Sequence, residues 1–275
     1  MDKITVDSEF FNIKDTLDCG QIFRYTPQNE GYRVFSAEYA CDVIEENGKV
    51  SIYSDAPCYF ENYFDLKRDY SLIFSSAKGV GNEFLLKSAE SGKGIRILKQ
   101  DAEEMIFSFI ISQNNNIPRI KGIIERLCNA LGREKTFNGK TYRIFPKATD
   151  IAQKSEDFYK SIGLGYRAGY FPAVADALLN GFDIEALKTL ATTDLKKELL
   201  KLKGVGPKVA DCIALFGFYR TDSFPVDTWI EKLYREDYGG TLTDRNAICE
   251  FFTTQFKENA GFFQQYMFHY KRNVQ

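Results

Sequence analysis

The chain reads as an α+β protein, an N-terminal antiparallel β-sheet domain packed on a mostly α-helical domain. Three observations predict this. Up to about residue 95, short β-branched or aromatic segments alternate with Gly, Asn and Glu turns; from Glu103 onward, apolar residues recur at helical spacing. No internal repeat or low-complexity linker intervenes, so the two parts are expected to pack together rather than hang on a tether. The division predicted is 1–100 for the sheet domain and 101–275 for the helical domain. With 275 residues and 44% hydrophobic content, the chain can bury a substantial core, and disorder is excluded.

Taken in order, the first six residues are charged and strand-like, unlike the start of a signal peptide. Residues 21–25, 32–35, 42–45 and 49–53 follow as strands of one antiparallel sheet, and 70–77 and 81–91 as helices. Beyond Glu103, residues 120–131 and 171–179 carry helical periodicity, and the tail is helical too. No apolar run approaches the roughly twenty residues of a membrane span. These features lead to the expectation of a cytoplasmic, nucleoid-associated protein from a prokaryote, monomeric and without a membrane partner.

The chemistry concentrates between residues 193 and 217. Leu195, Leu199 and Leu202 recur at helical spacing after Thr192 and Thr193, both good N-caps. Gly204 and Gly206 stop that helix. Pro207 opens the next one, where its missing N–H costs nothing, and Val209, Ile213 and Phe216 give it an apolar face. The result is a helix-hairpin-helix whose Gly204-Val205-Gly206 turn lets backbone N–H groups close on a phosphate beside a helix N-terminus. Such a turn points to DNA. Lys208 lies in the first turn of the second helix, where the dipole is expected to keep some of its amine neutral and nucleophilic. Asp227 precedes the apolar run Trp229, Ile230, Leu233 and Tyr234, so it can cap a helix or face the hairpin. Together a lysine and an aspartate can break an N-glycosidic bond: the amine attacks the anomeric carbon and the carboxylate stabilises the cationic sugar.

The hairpin with Gly-Pro before a lysine, and Pro225-Val226-Asp227 after it, resemble the HhH-GPD superfamily of base-excision DNA glycosylases. Segments 17–24, 107–119 and 260–268 narrow the resemblance to the 8-oxoguanine DNA glycosylase/AP lyases, in the same order along nearly the whole chain. The resemblance implies a TBP-like N-terminal sheet and a bifunctional enzyme of base excision repair. Such an enzyme flips 8-oxoguanine out of duplex DNA, excises it through a Lys208 Schiff base and cleaves by β-elimination, with no cofactor.

The resemblance also assigns the remaining roles. The Gly20 carbonyl would accept the imidazole-ring N–H that 8-oxoguanine has and guanine lacks. Gln264 would read the Watson–Crick edge, Phe268 would stack on the base from the same helix face, and Cys212, one turn after Lys208, would flank it. Gly20 could equally be turn punctuation, Cys212 a small hydrophobe, and Phe262, Phe263 and Phe268 ordinary core. Tyr166 would wedge into the vacated stack, Arg167 and Arg119 would donate to the orphaned cytosine, and Asn114 would help fill the gap. The alternative for the arginines is a solvated surface, and for residues 114–116 a helix cap with Pro118 in the following first turn. The turn would present Gly204, Val205 and Gly206 to the backbone, and the carbonyls of Leu200, Leu202 and Val205 to a structural cation. Trp229 stands where many relatives carry a phosphate-touching histidine.

The net charge of −2 is unusual for a nucleic-acid binder and argues against a nonspecific DNA coat. It leaves room for a basic patch of Lys201, Lys203, Lys208, Arg119 and Arg167. Six cysteines lack Cys-x-x-Cys spacing, so neither a disulfide framework nor a zinc ribbon is expected, and only Cys249 remains where endonuclease III relatives hold an iron–sulfur cluster. A single histidine, His269, leaves no material for a Ser-His-Asp triad. Two other readings stay open: an alkylated-base or adenine glycosylase, which would not need Lys208, and a DNA-binding hairpin protein without catalysis.

Overall fold

The structure, a computed structural model, describes residues 1–273. Five strands form the N-terminal sheet: β1 (Asp2–Asp7), β2 (Tyr25–Gln28), β3 (Gly31–Ser36), β4 (Tyr39–Glu46) and β5 (Lys49–Ser54). Their order is β1-β5-β4-β3-β2, all antiparallel. The register sets Val34 opposite Cys41 and Val43 opposite Ile52, so alternate residues share one face, and these four are buried. That face closes over Phe11, Leu17, Phe60 and Phe64.

One expected strand is displaced. Of residues 21–25, only Tyr25 joins the sheet. The buried Gln21 explains this: its Nε2 donates to the carbonyls of Thr16 and Arg96 at 3.0 and 2.7 Å, and its Oε1 accepts from Leu98 N at 2.9 Å. Its backbone carbonyl takes a bond from Gln100 Nε2. The segment is therefore tied to the chain crossing at 96–100 instead of to a neighbouring strand. The helix Ile13–Asp18, capped by Asn12, precedes it and was not anticipated.

The helical part is built around Ala102–Ser112, almost wholly buried, against which Pro207–Gly217 packs. Asn82, Asp101 and Asn116 each cap a helix by accepting from a backbone N–H, the choice expected of short polar side chains. Helices Tyr70–Gly79 and Glu83–Ser91 turn their apolar faces to this core, and the latter lies along the final helix Ala260–Asn273. A two-stranded hairpin, β6 (Glu134–Phe137) and β7 (Lys140–Arg143), interrupts the helices. Its signal was Asn138-Gly139, both at positive φ, the pair that a two-residue hairpin turn requires.

Cys19 and Phe23 belong to the helical core although they lie in the sheet half of the sequence. Next to them, the buried Arg24 pairs with Glu104 at 3.2 Å and donates to the Arg143 carbonyl at 2.7 Å. Glu104 also accepts from Ala37 N at 3.0 Å. The sheet and the helices are thus joined by packing and by a buried ion pair. No helix among the described residues is long and apolar enough to cross a membrane.

Candidate active site

The hairpin forms from helices Thr192–Leu199 and Pro207–Gly217. Pro207 takes the first helical position as the sequence predicts, with Gly206 as N-cap. The threonines do not cap: Ala191 is the N-cap residue, and Thr192 is already helical, its hydroxyl donating to Asp222 Oδ1 at 2.7 Å. Gly204 has φ +85°, and a Cβ there would meet the Tyr170 ring at 2.3 Å, so both conformation and space demand glycine. A Cβ at Gly206 would meet open space, so at that point the turn is accessible. Val205 N donates to the Leu202 carbonyl at 3.0 Å, which closes the turn. Lys196 pairs with the buried Asp211 at 2.5 Å and fastens the two helices together.

One cavity gathers the six residues expected to carry the chemistry and to hold the base. Gly20, Lys208, Cys212, Asp227, Gln264 and Phe268 line it, together with Cys19, Phe109, Phe216, Pro225 and Gln265. It measures about 50 Å³. A water's share of liquid volume is about 30 Å³, so a purine enters only if the lining side chains give way. Phe109 and Phe216 stack at 5.5 Å, and Lys208 Nζ lies 5.8 Å from the Phe109 ring centre. Asp227 caps the helix Thr228–Glu236: its Oδ1 accepts from Trp229 N and Ile230 N, both at 3.0 Å. Its Oδ2 makes no hydrogen bond among the described residues, so capping and facing the hairpin coexist. Phe262 and Phe263 are buried in the core.

The surroundings of Lys208 favour the ammonium over the neutral amine. Burial pulls its pKa down, but Cys212, Asp227 and Asp211 outweigh it and hold the ammonium above the ordinary lysine value. This direction runs against the expectation drawn from the helix terminus, whose effect is only about 0.3–1 kcal/mol. Burial pushes the Cys212 thiol up, against the pull of Lys208. The Cys19 thiol, buried and bonded to Gln21, is pushed up to about 12.

Gly20 sits at φ +85° between the Cys19 and Gln21 anchors. Arg272 closes the same corner from the last helix: it donates to the Asp18 carbonyl at 2.6 Å, and its guanidinium lies over the Phe268 ring at 5.3 Å. Sequence reasoning missed Arg272 and Gln21, because no local pattern marks a polar side chain that bonds across 75 or more residues; it missed Gln265 because only the fold shows that it lines the cavity beside Gln264.

Asn114, Tyr166 and Arg167 also converge, at a second edge of the hairpin. Asn114 Nδ2 donates to the Tyr166 hydroxyl at 3.2 Å, and Gln113 Nε2 donates to the Gly204 carbonyl at 2.9 Å. Tyr166 is 56% exposed and available as a wedge. Arg167 departs from expectation. Only 2% exposed, it spends its fork on the carbonyls of Leu164, Gln113 and Asn114, and so shapes the Asn114 loop instead of projecting outward. Arg119 is exposed, while Asn116 accepts from its backbone N–H at 3.0 Å to cap the helix Ile117–Leu131, with Pro118 in the first turn. Of the residues considered for a basic patch, Lys201, Lys203 and Arg119 are exposed, and Lys201 is paired to Glu198. All six cysteines are free, and no cluster of three or more His, Cys, Asp or Glu suited to a metal occurs among the described residues.

Residues 3–106 match the family model for the 8-oxoguanine DNA glycosylase N-terminal domain, and residues 107–251 match that for HhH-GPD superfamily base excision DNA repair proteins. The chain belongs to the 8-oxoguanine DNA glycosylase family. A probable N-glycosylase/DNA lyase of Methanothermobacter thermautotrophicus is 33% identical over 77% of this chain and 73% of its own. The N-glycosylase/DNA lyase of Saccharomyces cerevisiae is 36% identical over 54% of this chain, which spans 43% of the yeast protein. Among solved structures, Clostridium acetobutylicum 8-oxoguanine glycosylase/lyase, in complex with double-stranded DNA containing cytosine opposite 8-oxoG, is 37% identical with a TM-score of 0.91. That match covers 97% of this chain and 93% of the other. The sheet followed by a helical hairpin domain is therefore the family's architecture, as the sequence predicted.

Proposed function

We propose that this chain is a bifunctional glycosylase and AP lyase that removes 8-oxoguanine from duplex DNA, acting where cytosine stands opposite. The observation that carries the reading is the single cavity shared by an amine, a carboxylate and an amide, beside a turn open to a phosphate backbone. Lys208 loses its proton as the flipped nucleotide fills the cavity; the departing base, which carries off the electron pair of the broken bond, takes that proton up, so the Asp227 carboxylate stays ionised. The Lys208 nitrogen then bonds to the anomeric carbon as the bond to the base breaks and the electron pair leaves with the base; Asp227 stabilises the positive charge that develops on the sugar. Ring opening yields the Schiff base, which acidifies the neighbouring sugar carbon and expels the 3′ phosphate by β-elimination.

In this reading, Gly20, Gln264, Phe268 and Cys212 surround the base, while Tyr166, Asn114 and Arg119 meet the gap and the partner strand, and Arg167 holds their loop. Gly204, Val205 and Gly206 meet the DNA backbone, and the carbonyls of Leu200, Leu202 and Val205 supply oxygen donors suited to a structural cation. The enzyme would work as a monomer in a prokaryotic cytoplasm, at the nucleoid. Incubation with a duplex carrying one 8-oxoguanine opposite cytosine should release the free oxidised base and nick the strand, with guanine duplex untouched. Intact DNA after prolonged incubation with stoichiometric protein would refute the assignment.

A further inference from the structure

Gln264 reaches the base cavity with both ends of its amide engaged. Its Nε2 donates to the Pro225 carbonyl at 3.2 Å, and its Oε1 accepts from Gln265 Nε2 at 2.7 Å. Both glutamines are buried, and both line the cavity with Lys208 and Asp227. Turning the Gln264 amide over would set N–H against N–H toward Gln265 and oxygen against oxygen toward Pro225, so its sense is fixed. In that sense it has one N–H and one acceptor lone pair left. These complement a lactam edge, a carbonyl beside a ring N–H, and not the reversed edge of an adenine-type ring.

Gln265 carries a second observation. Its Oε1 is buried and has no hydrogen-bond partner among the described residues. An orphaned buried acceptor is rare in a folded protein. Beside a cavity of about 50 Å³, this acceptor is placed to take a donor from a ligand that fills the space.

We propose that Gln265 is a specificity-determining residue of the base pocket: its N–H pins Gln264 in the lactam-reading sense, and its Oε1 accepts from the exocyclic 2-amine of a guanine-type base. This rests on the reading of the cavity as the pocket for flipped 8-oxoguanine. Gln265 then acts at the Watson–Crick edge and discriminates among oxidised purines, whereas the contact at Gly20 separates oxidised from normal guanine.

The test is single-turnover base release from duplexes carrying 8-oxoguanine or 8-oxohypoxanthine, the same ring without the 2-amine, for wild type, Gln265→Leu and Gln265→Glu. Wild type should favour 8-oxoguanine by about tenfold or more, since the deaminated base leaves the acceptor unpaired. Gln265→Leu should bring that ratio to within about twofold of one. Gln265→Glu keeps the size and an acceptor but loses the donor to Gln264, and should slow both substrates while retaining the preference. If the leucine variant fails to melt cooperatively, the glutamate variant decides alone. No preference in wild type, an unchanged ratio in Gln265→Leu, or a Gln265→Glu protein as fast as wild type overturns the proposal. A folded wild type that releases neither base overturns instead the reading of the cavity itself.

Discussion

At Lys208, burial favours the neutral amine, while Cys212, Asp227 and Asp211 around it favour the ammonium, and the second effect is the larger. The sign of the pH dependence follows. The reactive form is neutral and the pKa lies above the ordinary lysine value, so below that point each unit of pH raises the neutral fraction about tenfold. The kcat/KM for cleaving a duplex with a pre-formed abasic site, which reports the free enzyme, should therefore climb by up to about tenfold per unit from about pH 6 to 8. A profile flat across that range would mean the amine is already neutral before DNA binds. Lys208 was legible in the sequence because its neighbours Gly206 and Pro207 mark the turn that holds it. Its protonation was not, because Asp211, Asp227 and Cys212 act through space.

At the scale of elements, the hairpin depends on the bond between Lys196 and Asp211 as well as on its glycines. Burial raises the Asp211 carboxyl against the pull of Lys196. Replacing Lys196 with Met leaves that carboxylate without its partner and should cost about 3–5 kcal/mol near neutral pH. The sign again follows from the shift: with a folded-state pKa raised above the unfolded one, stability falls as pH rises between the two and returns when both states bind the proton. Urea unfolding should therefore show a larger loss for Lys196→Met at pH 7 than at pH 4, and a loss equal at both would contradict the role given to Asp211. The helices were readable from periodicity and from caps such as Asn116 and Asp227. The strand expected at 21–25 misled because its aromatic and β-branched residues resemble a strand while Gln21 fixes the backbone elsewhere. Arg167 misled for a similar reason: sequence shows that a guanidinium is present, not that three carbonyls of Leu164, Gln113 and Asn114 enclose it.

For the whole molecule, the base cavity draws on the start, middle and end of the chain: Gly20, Lys208 with Asp227, and Gln264 with Phe268. The sheet supports this assembly through Cys19, Phe23 and the Arg24–Glu104 pair, which embed it in the helical core. Thermal unfolding followed by near-ultraviolet and far-ultraviolet signals should accordingly give one coincident transition, and two separated transitions would show that the sheet folds independently. The measurement that bears most directly on the proposed chemistry is borohydride trapping on a labelled duplex with one 8-oxoguanine opposite cytosine, using wild type and Lys208→Gln. Wild type should give a covalent adduct whose reduced bond maps to Lys208 by mass spectrometry, with none from Lys208→Gln and none on the guanine duplex. An adduct formed by Lys208→Gln, or base release by that variant at the wild-type rate, would contradict Lys208 as the nucleophile.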